Sequence, residues 1–179
     1  MTNYRRNRVP GASYFFTLAL ADRSGDLLTR HIDLLRAATA QTKQQIPFTI
    51  DAVVILPEHL HCIWTLPPAD SDYSTRWKKI KSAFSRAITI SPNEPISASR
   101  TAKGERGIWQ RRFWEHTLRD DEDYARHVDY LHFNPVKHGL VPRVSEWPHS
   151  SFHRHVRDGH YPSGWGGTAA ELPCESGET

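Results

Sequence analysis

The chain has 179 residues and a net charge of +3, and its 38% hydrophobic and 11% aromatic content is enough to build a folded core. This length suits one domain, and no run of about 18 apolar residues that could span a membrane is present. The basic start lacks the long apolar segment of a secretory signal, and two cysteines, Cys62 and Cys174, make neither a disulfide framework nor a four-cysteine zinc site. We therefore expect a cytosolic protein.

Basic residues are concentrated in three places, and the sequence pI is near 9.0. One cluster follows the N-terminus, a second lies between residues 76 and 86 without any acidic residue, and the third is the pair Arg111 and Arg112. A solvated helix face explains one such run equally well. Three clusters in a small chain favour a nucleic-acid partner.

Hydrophobic patterns in the first third of the chain predict three strands and a helix. Residues 13–20 are rich in aromatic and β-forming types and indicate a strand. Apolar residues at helical spacing over 32–46 predict a helix that stops at Pro47. Residues 48–56 and 59–66 then predict two strands joined as a hairpin.

The middle of the chain repeats this alternation. Residues 73–88 predict a helix, 91–107 a polar loop without hydrophobic periodicity, and 108–118 a fourth strand. Asp120 is a candidate N-cap of a third helix, whose acidic first turn suits the positive end of the helix dipole. Pro135 predicts that this helix ends at or near the preceding residue.

This order predicts an α+β fold, a ferredoxin-like βαββαβ antiparallel sheet covered by helices, with an added C-terminal helix that carries a tyrosine. We expect one nuclease-like domain over residues 1–156, with a flexible insert at about 91–107. Residues 157–179 are rich in glycine, which predicts an extended tail.

Two histidines, His59 and His61, alternate on the predicted third strand. Because alternate side chains of a strand share a face, both imidazoles point one way and Cys62 points the other. Two imidazoles about 6–7 Å apart at the backbone can converge on one divalent cation. A second pair, His153 and His155, lies outside the predicted sheet and is not assigned a metal.

The helix that begins after Asp120 has polar residues beside a narrow apolar stripe. The helical period puts four of them on one adjacent face: Asp123, His127, Tyr130 and Asn134. Two simpler interpretations stay open, because Tyr130 also fits a half-buried tyrosine and Asn134 a helix C-cap.

Together these groups suit strand cleavage and rejoining. Two imidazoles and an amide oxygen leave coordination positions of a metal open to phosphate oxygens. Tyr130, whose ordinary pKa is about 10, becomes a nucleophile once its proton is removed. Attack on a DNA phosphodiester gives a reversible phosphotyrosine link.

Several long motifs resemble the REP-associated tyrosine transposases, bacterial relatives of single-tyrosine insertion-sequence transposases with a His-hydrophobe-His motif. The resemblance covers residues 3–167; only the insert and the final residues depart from the pattern. The main motifs are YRR at 4–6, FFT at 15–17, VILPEHLHCIW at 54–64, GIWQ at 107–110, RFWEH at 112–116 and DYLHFNPVKHG at 129–139.

The resemblance implies a metal-dependent nuclease and strand transferase of the HUH class that acts on single-stranded hairpins of repetitive extragenic palindromic (REP) DNA beside a 5′ tetranucleotide. It implies Tyr130 as nucleophile and His59, His61 and Asn134 as ligands of Mg²⁺ or Mn²⁺. We expect four residues to support these ligands: Glu58, Asp123, His127 and His116. The residues expected to contact DNA are Arg5, Arg6, Arg8, Lys78, Lys79, Lys81, Arg86, Arg111, Arg112 and Lys137. A monomer or weak homodimer in the bacterial cytoplasm, associated with the nucleoid and not with membrane, is expected.

Two other functions stay open. The chain could be a hairpin-binding or regulatory module of the same fold without catalysis, or a zinc-stabilised structural domain that uses His59, His61 and Cys62. Strand alternation disfavours the zinc domain because Cys62 faces away from the histidines. Among candidate base-stacking residues, Trp77 lies in an apolar stripe that favours core packing, and Trp109 and Trp114 are undecided.

Overall fold

The computed structural model describes residues 6–89 and 106–167. Within these ranges, antiparallel strands form one sheet in the spatial order β2-β3-β1-β4. The strands are β1 (Ser13–Ala19), β2 (Thr49–Ile55), β3 (His59–Thr65) and β4 (Trp114–Thr117). The helices are α1 (Leu27–Arg30), α2 (Ile32–Gln45), α3 (Tyr73–Ala87), α4 (Asp121–Lys137) and α5 (Phe152–Arg157), with a 3₁₀ turn at Val144–Glu146. The ferredoxin-like fold is thereby confirmed.

The sheet separates two apolar layers, because successive side chains of each strand point to opposite faces. Helices α2 and α3 cover one face, where Cys62 and Trp64 of β3 are buried. Trp77 stacks on Trp64 with ring centroids 4.0 Å apart, which confirms the prediction that Trp77 belongs to the core. Helix α4 covers the other face and packs Leu131 into a cluster that contains Phe15.

The fourth strand is shorter than the sequence predicts. Residues 108–110 still pair with the end of β1, since the amide N–H of Gln110 donates to the carbonyl of Ala19 at 2.9 Å. Regular pairing with β1 resumes only at β4, because the residues between 110 and β4 do not hydrogen-bond to β1 as a strand. Phe113 instead packs its ring against Phe16, with centroids 6.0 Å apart.

The sequence predicts that helix α4 ends at or near the residue before Pro135. This prediction is wrong, because the helix continues to Lys137. The proline lacks an N–H and cannot donate to the preceding turn, which normally favours a helix end nearby. Here the surrounding residues are held by tertiary packing, because Phe133 is buried in a cluster with Phe152 and contacts Trp165. Tertiary packing therefore overrides the local preference, and the C-cap alternative for Asn134 is wrong.

The segment after α4 covers the free edge of β2. The amide N–H of Ile55 donates to the carbonyl of His149 at 2.9 Å, and the N–H of Ser151 donates to the carbonyl of Val53 at 2.8 Å. Tyr161 donates a hydrogen bond to Asp129 of α4. The C-terminal segment thus connects the edge strand to the helix that carries Tyr130.

The described part of the predicted tail, residues 157–167, packs against the end of α4. Trp165 contacts Phe133 of α4 with ring centroids 6.5 Å apart and Tyr161 with ring centroids 4.9 Å apart. Arg5, most of the predicted insert and residues 168–179 lie outside the described residues, so the division into a domain and a tail stays a prediction. No helix within 6–89 and 106–167 has the length and apolar character to cross a membrane.

Replacing Gly166 should test whether this segment is part of the folded core. Gly166 has φ +68°, and a Cβ there would lie 2.5 Å from Cγ2 of Val144, whereas Gly139 has φ +67° and open space around it. Gly139→Ala should cost about 1 kcal/mol for the left-handed backbone alone, and Gly166→Ala about 2–3 kcal/mol because steric overlap is added. Urea unfolding measures both, and equal losses would contradict the packing described for this segment.

Candidate active site

The paired histidines lie on the face of the sheet that α4 covers. His59 and His61 are both buried, and their ring centroids lie 5.0 Å apart at an interplanar angle of 85°. In the strand register, His61 pairs with Thr17 of β1. The predicted alternation of β3 is therefore confirmed, with both imidazoles on one face.

Helix α4 brings Tyr130 to the same place. Its ring centroid lies 5.4 Å from that of His61 and 6.0 Å from that of Phe15. The ammonium nitrogen of Lys137, two helical turns later, lies 4.9 Å from the centroid of the Tyr130 ring. Asn134, one turn after Tyr130, is fully buried. The sequence predicts that Tyr130 and Asn134 lie near His61, and the fold brings these three residues together.

Each histidine of the pair has one ring nitrogen engaged by an oxygen. Nδ1 of His61 lies 2.9 Å from Oγ1 of Thr17, and Nδ1 of His59 lies 2.9 Å from Oε1 of Glu58. Burial opposes ionisation of Glu58, but His59 and Arg23 outweigh it and lower the pKa of the carboxyl. An ionised carboxylate accepts, so Nδ1 of His59 donates, and in the neutral form of the ring Nε2 keeps a lone pair. This arrangement is typical of histidines that bind a metal through Nε2.

Polar atoms without partners lie next to this pair. Among the described residues, none is in hydrogen-bonding geometry with Nε2 of His61 or with either amide atom of Asn134. Burial lowers the pKa of His61 well below its ordinary value, the charges of His59, His138 and Lys137 act in the same direction, and the nearby Asn134 amide opposes them. A neutral imidazole and an amide oxygen, both buried and unsatisfied, fit the ligand set of a divalent cation.

A second polar group lies on the far side of Phe15. This group consists of His116, Asp123 and His127, whose potential ligand atoms all lie within 4.8 Å of one another. In the described part of the chain, it is the one group of three His, Cys, Asp or Glu side chains with this spacing. Nε2 of His116 lies 2.8 Å from Oδ2 of Asp123, and Nδ1 of His127 donates to the carbonyl of Asp123 at 2.7 Å. The group could therefore bind a metal, but its atoms also bind each other.

The Asp123 carboxylate is compensated by basic groups. Oδ2 accepts from both the amide and Nε of Arg119, and Arg126 lies 3.7 Å from Oδ1. Burial raises the pKa of Asp123, but the hydrogen bonds from His116 and Arg119 outweigh it, and the net shift is strongly downward. Burial lowers the pKa of His127. Two guanidinium groups beside the carboxylate disfavour a cation there, so we interpret the group as a brace between β4 and α4.

The zinc-domain alternative is wrong, because Cys62 lies on the opposite side of the sheet from His59 and His61. It belongs to the core under α2 and α3, and burial raises the pKa of its thiol well above the ordinary value. His153 and His155, the pair without an assigned metal, lie on α5 and hydrogen-bond to the backbone carbonyls of Trp147 and Asp51.

A groove of about 720 Å³ joins members of all the predicted basic clusters. It runs between α3 and residues 106–113, on the face opposite Tyr130. Its basic lining consists of Arg6, Arg8, Lys78, Lys81, Arg86, Arg106 and Arg111. Arg106 was missed because it lies at the end of the polar insert, where no periodic pattern indicates its position.

The other predicted DNA contacts lie elsewhere. Lys79 donates to Oε1 of Gln45 at 3.0 Å between α2 and α3, and Arg112 is exposed outside the groove lining. Lys137 lies at Tyr130, not with the other clusters. Arg76, part of the same basic run, is buried and forms an ion pair with Asp70 at 2.6 Å.

Comparison with known proteins identifies the family. The chain is 46% identical to the Escherichia coli K12 REP-associated tyrosine transposase over 172 residues, which is 96% of this chain and 95% of that protein. The chain belongs to the REP-associated tyrosine transposase family. A Haemophilus influenzae protein assigned to the same family is 47% identical over 169 residues, 93% of this chain and 94% of the relative. No family model matches the chain.

A solved structure supports the same assignment for the fold. The REP-associated tyrosine transposase bound to a REP hairpin superposes with a TM-score of 0.80 at 44% identity, over 100% of both chains. As a member of this transposase family, the chain is a DNA-processing enzyme.

Three residues around Tyr130 were not predicted. Thr17 orients His61, Phe15 lies between the two polar groups, and the ring of His138 lies 5.0 Å from that of His59. The positions of Thr17 and Phe15 follow from the pairing register of β1 with β3. The hydrophobic patterns of the separate strands do not determine this register.

Asp123→Asn should separate a structural brace from a metal site. Removing the charge leaves Arg119 and His116 without their partner and should cost about 3 kcal/mol at pH 7. Because the folded-state pKa of Asp123 is lowered, this stabilisation is present above the unfolded-state pKa of about 3.9 and is lost as the pH falls through the folded-state value. The wild type and variant should therefore converge at low pH in urea unfolding. A wild-type stability that falls by a similar amount in EDTA at pH 7 would contradict the brace.

Proposed function

We propose that this chain binds REP hairpins flanked by a 5′ tetranucleotide and cleaves and rejoins single-stranded DNA through a phosphotyrosine intermediate on Tyr130. The observation that carries the proposal is the distance of 5.4 Å between the rings of Tyr130 and His61 on one buried face. Family membership supports the substrate, because a relative at 44% identity has been solved with a REP hairpin.

In this proposal His59, His61 and Asn134 hold Mg²⁺ or Mn²⁺. The unpartnered Nε2 of His61 and amide of Asn134 support this set, and Thr17 and Glu58 keep both imidazoles oriented. When bound, the cation supplies Lewis-acid polarisation of the scissile phosphate. Glu58 would thus support a ligand directly, whereas Asp123, His127 and His116 would act through the position of α4.

The phenol oxygen of Tyr130 attacks phosphorus, the bond from phosphorus to one sugar oxygen breaks, and that oxygen leaves as a hydroxyl after it takes up a proton. The phenol proton is released to solvent or to a nearby base. Attack by a hydroxyl on the phosphotyrosine reverses the step and restores a phosphodiester. Because the link conserves the energy of the broken bond, the same site can rejoin strands.

Lys137 is assigned to this step and not to the binding of the hairpin stem, because it lies at Tyr130 and outside the groove lining. Its ammonium group lies 4.9 Å from the Tyr130 ring centroid and contributes a positive charge near His61. A cation over the ring fixes the orientation of the tyrosine and favours negative charge on the attacking oxygen and the phosphate.

The basic groove is assigned to the phosphates of the hairpin stem. Lysines and arginines that neutralise phosphates supply affinity without reading sequence. A monomeric or weakly dimeric state and a cytoplasmic, nucleoid-associated location in a bacterium accompany this function as predictions.

Tyr130→Phe should abolish covalent capture of DNA. With a labelled REP hairpin carrying an unpaired 5′ flank and Mn²⁺, the wild type should form an adduct that survives denaturing electrophoresis. The variant should lose it by at least about 1,000-fold, because it lacks the nucleophile. Tyr124→Phe, on the same helix and partly buried against the same apolar cluster, is the matched control. An adduct that persists in Tyr130→Phe contradicts the assignment, and hairpin binding without any adduct in the wild type supports a non-catalytic binding module.

Removing charge from the groove should weaken binding through salt-dependent contacts. The triple variant Lys78→Gln, Lys81→Gln, Arg86→Gln should reduce the slope of log affinity against log salt by up to about 3, since each phosphate contact contributes about 0.9. The control removes equal charge from exposed positions on α1 and α2: Arg30→Gln, Arg36→Gln and Lys43→Gln. Equal slopes for the two triple variants would contradict the groove as the stem-binding surface.

Lys137→Met should slow adduct formation about 10-fold in single-turnover assays, with little change in hairpin affinity, because the charge acts on the reacting groups. Lys137→Arg should retain most of the rate. If Lys137→Met instead lowers affinity and leaves the single-turnover rate intact, Lys137 is only a phosphate contact.

A further inference from the structure

Trp114 is an exposed aromatic residue beside the candidate active site. In the described ranges, the large hydrophobic side chains that are exposed are Val9, Trp114 and Leu140, and Trp114 is 43% exposed. An isolated exposed hydrophobic residue is common on protein surfaces and needs no explanation by itself. The position and orientation of this one distinguish it.

Strand register places Trp114 in the same cross-sheet row as the metal-site histidine. Thr17 of β1 pairs with His61 on one side and with Trp114 on the other. Directly paired residues share a face, so Trp114 lies on the Tyr130 side, about 10 Å from His61 at the usual strand spacing. Phe15 bridges the gap, because its ring centroid lies 5.7 Å from that of Trp114 and 6.0 Å from that of Tyr130.

The indole is held in a fixed orientation by the brace beneath it. Its ring lies parallel to His116 at 4° with centroids 5.8 Å apart, and His116 lies at 15° to His127 with centroids 4.8 Å apart. Asp123 fixes this series through its contact with His116 at 2.8 Å. A flat surface that is already oriented loses little conformational entropy when another flat ring stacks on it.

Trp114 also lies between the groove and the tyrosine. The groove opens on the α3 side of the sheet and is lined by Phe113, while Tyr130 lies on the α4 side. Phe113 and Trp114 are consecutive residues at the sheet edge, one packed on each side. A DNA strand that leaves the groove for Tyr130 passes around this edge.

We propose that Trp114 is the stacking platform for one unpaired nucleobase of the strand that connects the groove-bound hairpin stem to the scissile phosphate. This inference rests on the proposed function and adds a binding position for the substrate. The ligand is the face of a base, so the platform holds the strand in place without selecting a sequence strongly.

A double-mutant cycle tests the platform directly. The probe is a REP hairpin with an unpaired 5′ flank, bound without divalent ions so that no cleavage occurs, with an abasic site placed at each flank position in turn. One abasic position should weaken wild-type binding by about 10-fold and should cost Trp114→Ala nothing further, because both changes remove the same stack. Trp114→Phe should recover most of the affinity, and Leu140→Ala, also an exposed hydrophobic, should bind like the wild type.

The outcomes separate this inference from the proposed chemistry. The platform is overturned if Trp114→Ala keeps wild-type affinity. It is also overturned if the variant loses affinity by the same factor on every abasic probe and on a hairpin without a flank. Both conclusions hold even where Tyr130 forms its adduct. If coupling to a single flank position is found but the wild type forms no adduct with Mn²⁺, the platform stands and the proposed catalysis fails. Thermal unfolding of Trp114→Ala and Trp114→Phe checks that neither result reflects a loss of folding.

Discussion

The alternation of side chains along β3 is the constraint on which the site depends. One set, with Cys62 and Trp64, is buried under α2 and α3 and anchors the sheet. The other set includes His59 and His61, which lie on the opposite face under α4 because alternate side chains of a strand point to opposite faces. A shift of β3 by one residue would exchange the two sets and remove the site.

The two faces of the sheet carry different groups, which the proposed function assigns to DNA binding and to chemistry. Positive charge lines a groove on the α3 side, and the tyrosine with its unsatisfied neighbours lies on the α4 side. Under the proposed function, the groove supplies long-range attraction to phosphates, so charged groups that are costly to desolvate are not needed for that purpose inside the buried site. The short edge strand β4 is the link, because it contributes to both faces within a few residues.

The sequence predicted the parts of this structure that follow from periodicity. The two-residue repeat of β3 placed His59 with His61, and the helical repeat of α4 placed Tyr130 with Asn134. The end of α4 was not predictable, because Pro135 favours a break and only packing of Phe133 against distant residues prevents it. The partners Thr17 and Phe15 were likewise hidden, since strand pairing across more than 40 residues has no local signature.

The most direct test of the account is the position of the cation in a crystal of the Tyr130→Phe variant with a REP hairpin and Mn²⁺. An anomalous difference peak bounded by His59, His61 and the amide of Asn134, with the ring at position 130 beside it, is the predicted result. A peak only at His116, Asp123 and His127, or none within reach of His61, would contradict the account.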